Sequence, residues 1–393
     1  MNRNSIDQAI TDVKEDVIRW RRHLHAHPEL TFHELETAKY IKEQLETLPG
    51  MEVSQLTPNS VIARLKGAKP GRHIALRADI DALPIEEESG EPFSSTIPGV
   101  MHACGHDAHT AMLLGAAKVL SQYKEDIAGE VLFIFQHAEE VPPGGAAELI
   151  DKGVLNGIDM VFGLHVWPGS PTGEIGYRNT VFCASSDNFD VTIKGKSAHG
   201  SQPQFSIDPV LIGSEVVCAL QSIVSRRIDP LKAPVITVAT FEAGSSYNVI
   251  PDTTHLAGTF RTHDKTIREN TPKLIEQTIA GICSIYGADY DIRWTYGYPV
   301  GINDPKAAEV AVAAIADYMP GCTAYEADAP MFGSEDFSSY LEKVPGCFMF
   351  MGTRNEKIGA VHGLHNSKFK LDEEAMQHGV QIHVGIIRET LMK

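Results

Sequence analysis

Apolar positions fall first into a helical rhythm: Ile10, Val13, Val17, Ile18 and Leu24 share one face of an N-terminal helical stretch that ends at Pro28. A second amphipathic helix reads from "HELETAKYIKEQLETL". Short continuous apolar runs follow, "HIALRAD", "VLFIFQ" and "MVFGLHV", with the helical patterns "AMLLGAAKVL" and "AAELID" between them. Strand–helix alternation of this kind predicts an α/β domain whose mainly parallel sheet is flanked by helices.

The rhythm changes beyond Gly173. From Asn188 to Trp294 the pattern predicts strand, helix ("PVLIGSEVVCALQSIV"), two strands ("VITVATF" and "HLAGTFRT"), helix ("IRENTPKLIEQTIAGICSIY") and strand ("YDIRW"). Two helices and several strands in about 110 residues make a self-contained α+β, ferredoxin-like insert. The chain then returns to helix, strand ("VPGCFMFMG") and a last helix from Asp372. The expected layout is a catalytic domain over 1–182, an inserted domain over 183–296, and the rest of the catalytic domain over 297–393. No internal repeat or low-complexity segment interrupts it.

Composition narrows the function. A chain of 393 residues with 43% hydrophobic and 22% charged residues is an ordinary globular protein of two or three domains. Its formal net charge of −17 disfavours nucleic acid and anionic membranes, which need a basic surface. An anionic substrate would need a local Arg or a metal. The polar N-terminus lacks a signal-peptide core, and no apolar run approaches a membrane span. The six cysteines stand singly, without a CxxC pair, which fits reduced thiols and a cytoplasmic protein.

Only Cys104 stands among other ligand-type residues, in "MHACGHDAHTA". Asp79 and Asp81 close one predicted strand, and Cys104 and His106 occupy a turn before a helix. Glu139 and Glu140 follow the next strand, and His165 ends a third. In open α/β sheets ligands bind beyond the carboxyl ends of the strands, so these segments converge on one rim. Thiolate, imidazole and carboxylate together suit zinc or manganese. Of two adjacent glutamates, one can bind metal while its neighbour takes a proton from the attacking water.

Blander readings apply to the remaining candidates. His23 and His27 precede Pro28 and read as structural; His102 and His109 read as packing around the helix start. Asp107 suits the positive end of a helix dipole, and Arg77 a buried ion pair with Asp79. "GKS" at 195–197 fails as a phosphate loop because Asp190 stands where the first glycine is required. Neither HExxH nor GxSxG occurs.

The segments "RADIDALPI", "GVMHACGHDAHTAMLLGAA", "FQHAEE", "SAHGSQPQFSIDP", "YNVIPD" and "LHNSKF" together resemble the co-catalytic metal-dependent amidohydrolases. That group includes hippurate hydrolase, N-acyl-amino-acid amidohydrolases and plant auxin-conjugate hydrolases. It is a branch of the aminoacylase and carboxypeptidase-like metallopeptidase superfamily, and the resemblance spans nearly the whole chain. It implies a phosphorylase/hydrolase-like catalytic domain in which Cys104, His106, Glu140, His165 and His365 hold two divalent ions, Mn2+ or Zn2+. The pattern around His365 favours it over His362 as the late ligand. Glu139 would be the general acid/base, and Asp81 would orient a ligand from behind.

The resemblance also implies that the insert is a lid and dimerisation domain, making the protein a homodimer. His199 would reach the partner's site and donate to the carbonyl oxygen, with Asn248 and Arg261 binding substrate and Arg261 taking its carboxylate. The expected reaction is hydrolysis of a small-molecule N-acyl amino acid. Dipeptidase- or aminopeptidase-like cleavage of small peptides is one alternative. A non-catalytic conjugate binder is another, disfavoured because Glu139 and the ligands are all present. One departure stands out: the branch usually has Pro where this chain has His137.

Overall fold

A parallel sheet covered on both faces needs strands that are apolar on both sides. Four strands meet that demand: Lys69–Asp79, Ala128–Gln136, Met160–Pro171 and Gly346–Arg354. Six consecutive buried residues end the first of them and seven end the second. In the computed structural model, which describes residues 3–232 and 234–393, these strands pair in parallel at the centre of an eight-stranded sheet. Antiparallel strands Met51–Ser54 and Val61–Lys66 extend one edge. Glu174–Tyr177 and Thr323–Glu326 extend the other. These four short edge strands lie outside the sequence expectation, being too brief to show a period.

The chain divides into two compact units. One contains the large sheet and runs through Phe182, resuming over Ile302–Ala329 and Asp336–Lys393; the other comprises Cys183–Gly301 with Pro330–Glu335. In the first unit, helix His106–Ser121 is buried along almost its whole length, which explains its run of Ala, Leu and Met. It begins at Gly105, whose φ is 83°, and a Cβ there would lie 2.4 Å from Val166 Cγ2. Only glycine allows the chain to turn there between Cys104 and His106.

His165 does not end its strand as expected, because Met160–Pro171 runs six residues further. Its pairing with Lys69–Asp79 stops at Gly163, however, so His165 sits just past the end of that ladder. Asp79 and Gln136 end their own strands at the same level.

The second unit is a four-stranded antiparallel sheet in the order Val235–Ala243, Thr253–Arg261, Asp187–Lys194, Asp289–Tyr296. With helices Pro209–Ser222 and Lys265–Tyr286 it follows the β-α-β-β-α-β order of ferredoxin-like folds. Alternation along Asp187–Lys194 sends Phe189, Val191 and Ile193 inward against Ile212, Val216, Leu220, Ile275 and Ile279. The helical run Pro209–Arg227 is long and apolar enough to cross a membrane by length and composition, against the expectation of no such segment. Its buried residues recur at helical spacing and pack into this unit's core.

Candidate metal centre

Cys104 is the hub of the first unit's polar cluster. Its Sγ lies 3.4 Å from His165 Nε2 and 3.3 Å from His365 Nε2. Ligand-type atoms of Cys104, His106 and His165 lie within 4.8 Å of one another, as do those of Cys104, Glu140 and His365. His106, Glu139 and Glu140 form a third such group. Glu140 Oε1 stands 3.4 Å from His365 Nε2 and 3.8 Å from His106 Nε2. The thiol is thus common to two donor groups that place His165 in one and His365 in the other.

The imidazoles are oriented from behind. His106 Nδ1 donates to Asp81 Oδ1 at 3.1 Å, and His165 Nδ1 donates to the Val166 carbonyl at 2.7 Å. Each therefore turns the lone pair of Nε2 into the cluster, the tautomer a metal-ligating His requires. His106 Nε2 is buried and has no hydrogen-bond partner among the described residues. An orphaned buried nitrogen facing carboxylates and a thiol fits a cation.

Electrostatics agree. Burial works against a charged His106, yet Asp79, Asp81 and Glu140 overcome it and push its pKa up to about 10. Burial, followed by Glu140, Glu139 and Asp79, drives the Cys104 thiol well above its ordinary value. A site so rich in negative charge holds protons in place of a cation, and bound metal ions would displace them.

Asp81 is the cluster's anchor: its Oδ2 accepts from the Glu140 amide at 3.0 Å and from Thr31 Oγ1 at 2.8 Å. Asp79 serves a different network. It accepts from Arg77 Nη1 at 2.6 Å and from His109 Nδ1 at 2.6 Å. Because His109 Nε2 accepts from the Val166 amide at 2.8 Å, both its ring nitrogens are engaged. His109 therefore braces the backbone beside His165.

Arg77 Nη2 also donates to Asp336 Oδ1 at 2.7 Å, and Asp336 Oδ2 accepts from Gln136 and from the Ala146 amide. The sequence does not mark Asp336, Gln136 or Thr31 as candidates, nor Glu34, whose Oε1 accepts from the Ala138 amide at 2.8 Å. No ligand-type spacing marks them, because their partners are backbone amides or distant side chains. The unusual His137 is buried with Nε2 3.2 Å from Glu148 Oε2, which ties it to helix Gly145–Asp151.

His199, Asn248 and Arg261 lie in the second unit. His199 is exposed on the two-residue strand Ala198–His199, paired with Val249–Ile250, and its Nδ1 lies 2.8 Å from Ser201 Oγ. Gly200 N–H donates to the Asn248 carbonyl at 2.8 Å, so His199 and Asn248 share one local element. Arg261 ends a different strand and donates from Nη1 to the Phe332 carbonyl at 3.0 Å.

The model of peptidase family M20/M25/M40 matches residues 75–389. The chain is 48% identical over 319 residues to the N-acyl-L-amino acid amidohydrolase of Geobacillus stearothermophilus, covering 80% of this chain and 86% of that protein. It is 39% identical over 378 residues to thermostable carboxypeptidase 2 of Saccharolobus solfataricus, covering 95% of each. The solved YXEP protein of Bacillus subtilis, described as a dinuclear metal binding peptidase from the M20 family, is similar with a TM-score of 0.84 and 37% identity. That likeness covers 96% of this chain and 98% of the other. The chain belongs to peptidase family M20/M25/M40, in the amidohydrolase branch that its motifs resemble, and is a metal-dependent hydrolase.

Proposed function

We propose that the chain hydrolyses the amide bond of N-acyl amino acids, releasing a carboxylate and a free amino acid. The observation that carries this reading is the shared thiol: Cys104 joins both the His106–His165 and the Glu140–His365 donor groups. Two divalent ions, Mn2+ or Zn2+, would be held by Cys104, His106, Glu140, His165 and His365. When bound, such ions supply Lewis acidity, lowering the pKa of water toward about 7 and polarising the scissile carbonyl. Glu139 accepts the proton of the attacking water and later delivers it to the leaving amine nitrogen. Asp81 keeps His106 in its tautomer and fixes the Glu140 amide.

In this reading the second unit binds and activates the substrate. Arg261 presents a planar fork to the substrate carboxylate, which answers how a chain of net charge −17 holds an anion. Asn248 helps to hold the substrate. His199, supplied by the partner in a cytoplasmic homodimer, donates to the carbonyl oxygen as charge develops. The insert over 183–296 would then serve as lid and dimerisation domain between the catalytic segments 1–182 and 297–393.

A second reading is cleavage of small peptides, favoured by the 39% identity to a protein named carboxypeptidase. N-acyl amino acids and peptide C-termini both present an amide next to a free carboxylate. A metal-supplemented screen of N-acyl amino acids, aryl conjugates and dipeptides, with released amine quantified, separates the two. Faster release from N-acyl amino acids is expected. No release from any of them by protein carrying two ions would overturn the proposal.

A further inference from the structure

Three non-glycine residues have positive φ among the described residues: Phe32 at 67°, Ala138 at 54° and His365 at 61°. A Cβ disfavours this conformation, so something must hold each one. Two of the three are held by the same atom. Glu34 Oε1 accepts from the Phe32 amide at 3.0 Å and from the Ala138 amide at 2.8 Å. Its other oxygen accepts from Asn59 Nδ2 at 2.9 Å.

The Glu34 carboxylate is fully buried, a costly placement with no explanation in its own helix. Glu34 directly precedes helix Leu35–Glu46, yet its side chain does not cap it. Glu29 takes that part, accepting from the Thr37 amide at 2.7 Å. The Glu34 side chain instead reaches across to the loop that follows strand Ala128–Gln136.

That loop carries Glu139. On its far side the Glu140 amide donates to Asp81 Oδ2, and the Ala138 carbonyl accepts from Gly145 N–H at 2.9 Å. Glu139 therefore projects from a stretch whose two flanking amides are each fixed by a buried carboxylate. Asp81 also sets a ligand-type imidazole, whereas the Glu34 carboxylate accepts from two backbone amides and from Asn59.

We propose that Glu34 is a positioning residue for the general base: its Oε1 clamps Phe32 and Ala138 in the left-handed conformation from which Glu139 is aimed. The proposal rests on the assignment of Glu139 given above. Without the clamp, Ala138 can relax toward right-handed φ and swing the following peptide.

Two substitutions separate geometry from charge. Glu34→Gln keeps an acceptor oxygen for both amides while losing the charge, and the Asn59 amide can turn over to accept from the new NH2. Glu34→Asp keeps the charge but draws the oxygen back by one methylene. Since a misplacement of about 1 Å can cost about 100-fold, Glu34→Asp should lower kcat at least about 10-fold with KM and metal content little changed. Glu34→Gln should stay within about 3-fold of the parent kcat, and Ala138→Gly, which accepts positive φ freely, should recover part of the Glu34→Asp loss.

Hydrogen exchange of the Ala138 amide, measured in metal-free protein, gives a readout independent of turnover. Protection should fall in Glu34→Asp and persist in Glu34→Gln. A fully active Glu34→Asp, a Glu34→Gln as impaired as Glu34→Asp, or unchanged Ala138 protection in Glu34→Asp would each overturn the proposal. Were Glu139→Gln fully active, the assignment of the base would fail, while the exchange measurement would still decide whether Glu34 clamps the loop.

Discussion

Asp81 Oδ1 lies 3.1 Å from His106 Nδ1, and the opposite face of that imidazole, Nε2, points unpartnered into the cluster. The carboxylate thus selects the tautomer that offers a lone pair to a metal. Losing such an outer partner typically costs about 10–100-fold in metal affinity or activity. Asp81→Ala also frees the Glu140 amide and Thr31 Oγ1, so the upper end of that range is expected. Titrating apo-protein with Mn2+ or Zn2+ by calorimetry checks it; unchanged affinity would mean that His106 is not a ligand.

Cys104 and Cys218 make a controlled pair. Cys104 is buried within the donor cluster, whereas Cys218 is exposed on helix Pro209–Ser222. Cys104→Ser replaces a soft thiolate by a hydroxyl that stays protonated near neutral pH, so metal stoichiometry should fall from two toward one or none. Cys218→Ser should leave it at two. Because ions that bind only the folded state stabilise it, a chelator should lower the melting temperature of the parent and of Cys218→Ser, and move Cys104→Ser least. Elemental analysis with thermal unfolding reads both effects. Equal metal content in the two variants would remove Cys104 from the centre.

Much of this centre was legible in the sequence because strand ends are legible. Asp79, Asp81, Glu139 and Glu140 lie at or just past the ends of apolar runs that read as buried strands, and parallel strands deliver their carboxyl ends to one rim. The overall α/β class followed from the same alternation. Glu34 and Asp336 were not legible, for a physical reason. Glu34 acts on backbone amides, which carry no sequence signature, and Asp336 meets Arg77 across 259 residues. His165 was placed at a strand end, although its strand continues; apolar pattern reports burial, and burial does not stop where a ladder loses one partner.

Glu139→Gln tests proton transfer apart from metal binding. The change is nearly isosteric and leaves Glu140 and the amides around the residue in place. General acid–base groups typically contribute about 100–10,000-fold, so kcat should fall by at least that lower figure at unchanged metal content. Stopped assays over hours with N-acyl substrates would read it. Turnover near the parent rate would assign the proton transfer elsewhere.

Glu34 should also give the protein a measurable pH dependence of stability. Burial, aided by the nearby negative charge of Asp81, raises its pKa from the ordinary 4.5 to about 7. The folded state therefore holds this proton more tightly than the unfolded chain. The stabilisation it gives is fully present below about pH 4.5 and is lost as pH rises through about 7. At about 1.4 kcal/mol per unit the loss is of order 3 kcal/mol. Comparing urea unfolding of the parent and Glu34→Gln isolates this group from the other carboxylates and histidines. The variant should gain stability relative to the parent between pH 5 and pH 8, and a constant difference across that range would contradict the raised pKa.

The second unit's two proposed contributors should separate kinetically. Arg261 offers a charged fork that acts on the substrate's carboxylate in ground and transition states alike, so Arg261→Ala should raise KM more than it lowers kcat. Replacing the substrate carboxylate by a primary amide should mimic that loss in the parent and add little in Arg261→Ala. His199 should behave in the opposite way. A donor aimed at developing negative charge is worth about 100–1,000-fold in kcat, and His199→Ala should lose that with metal content and KM nearly preserved. Mixing His199→Ala with Glu139→Gln, each almost inactive, then asks where the histidine acts. If it serves the partner's site, one protomer of a hybrid dimer carries its own intact Glu139 and receives the other's intact His199. Activity should return toward about a quarter of the parent value at equal mixing, since about half the dimers are hybrid and each has one working site. Proven subunit exchange without any return of activity would place His199 outside the partner's chemistry.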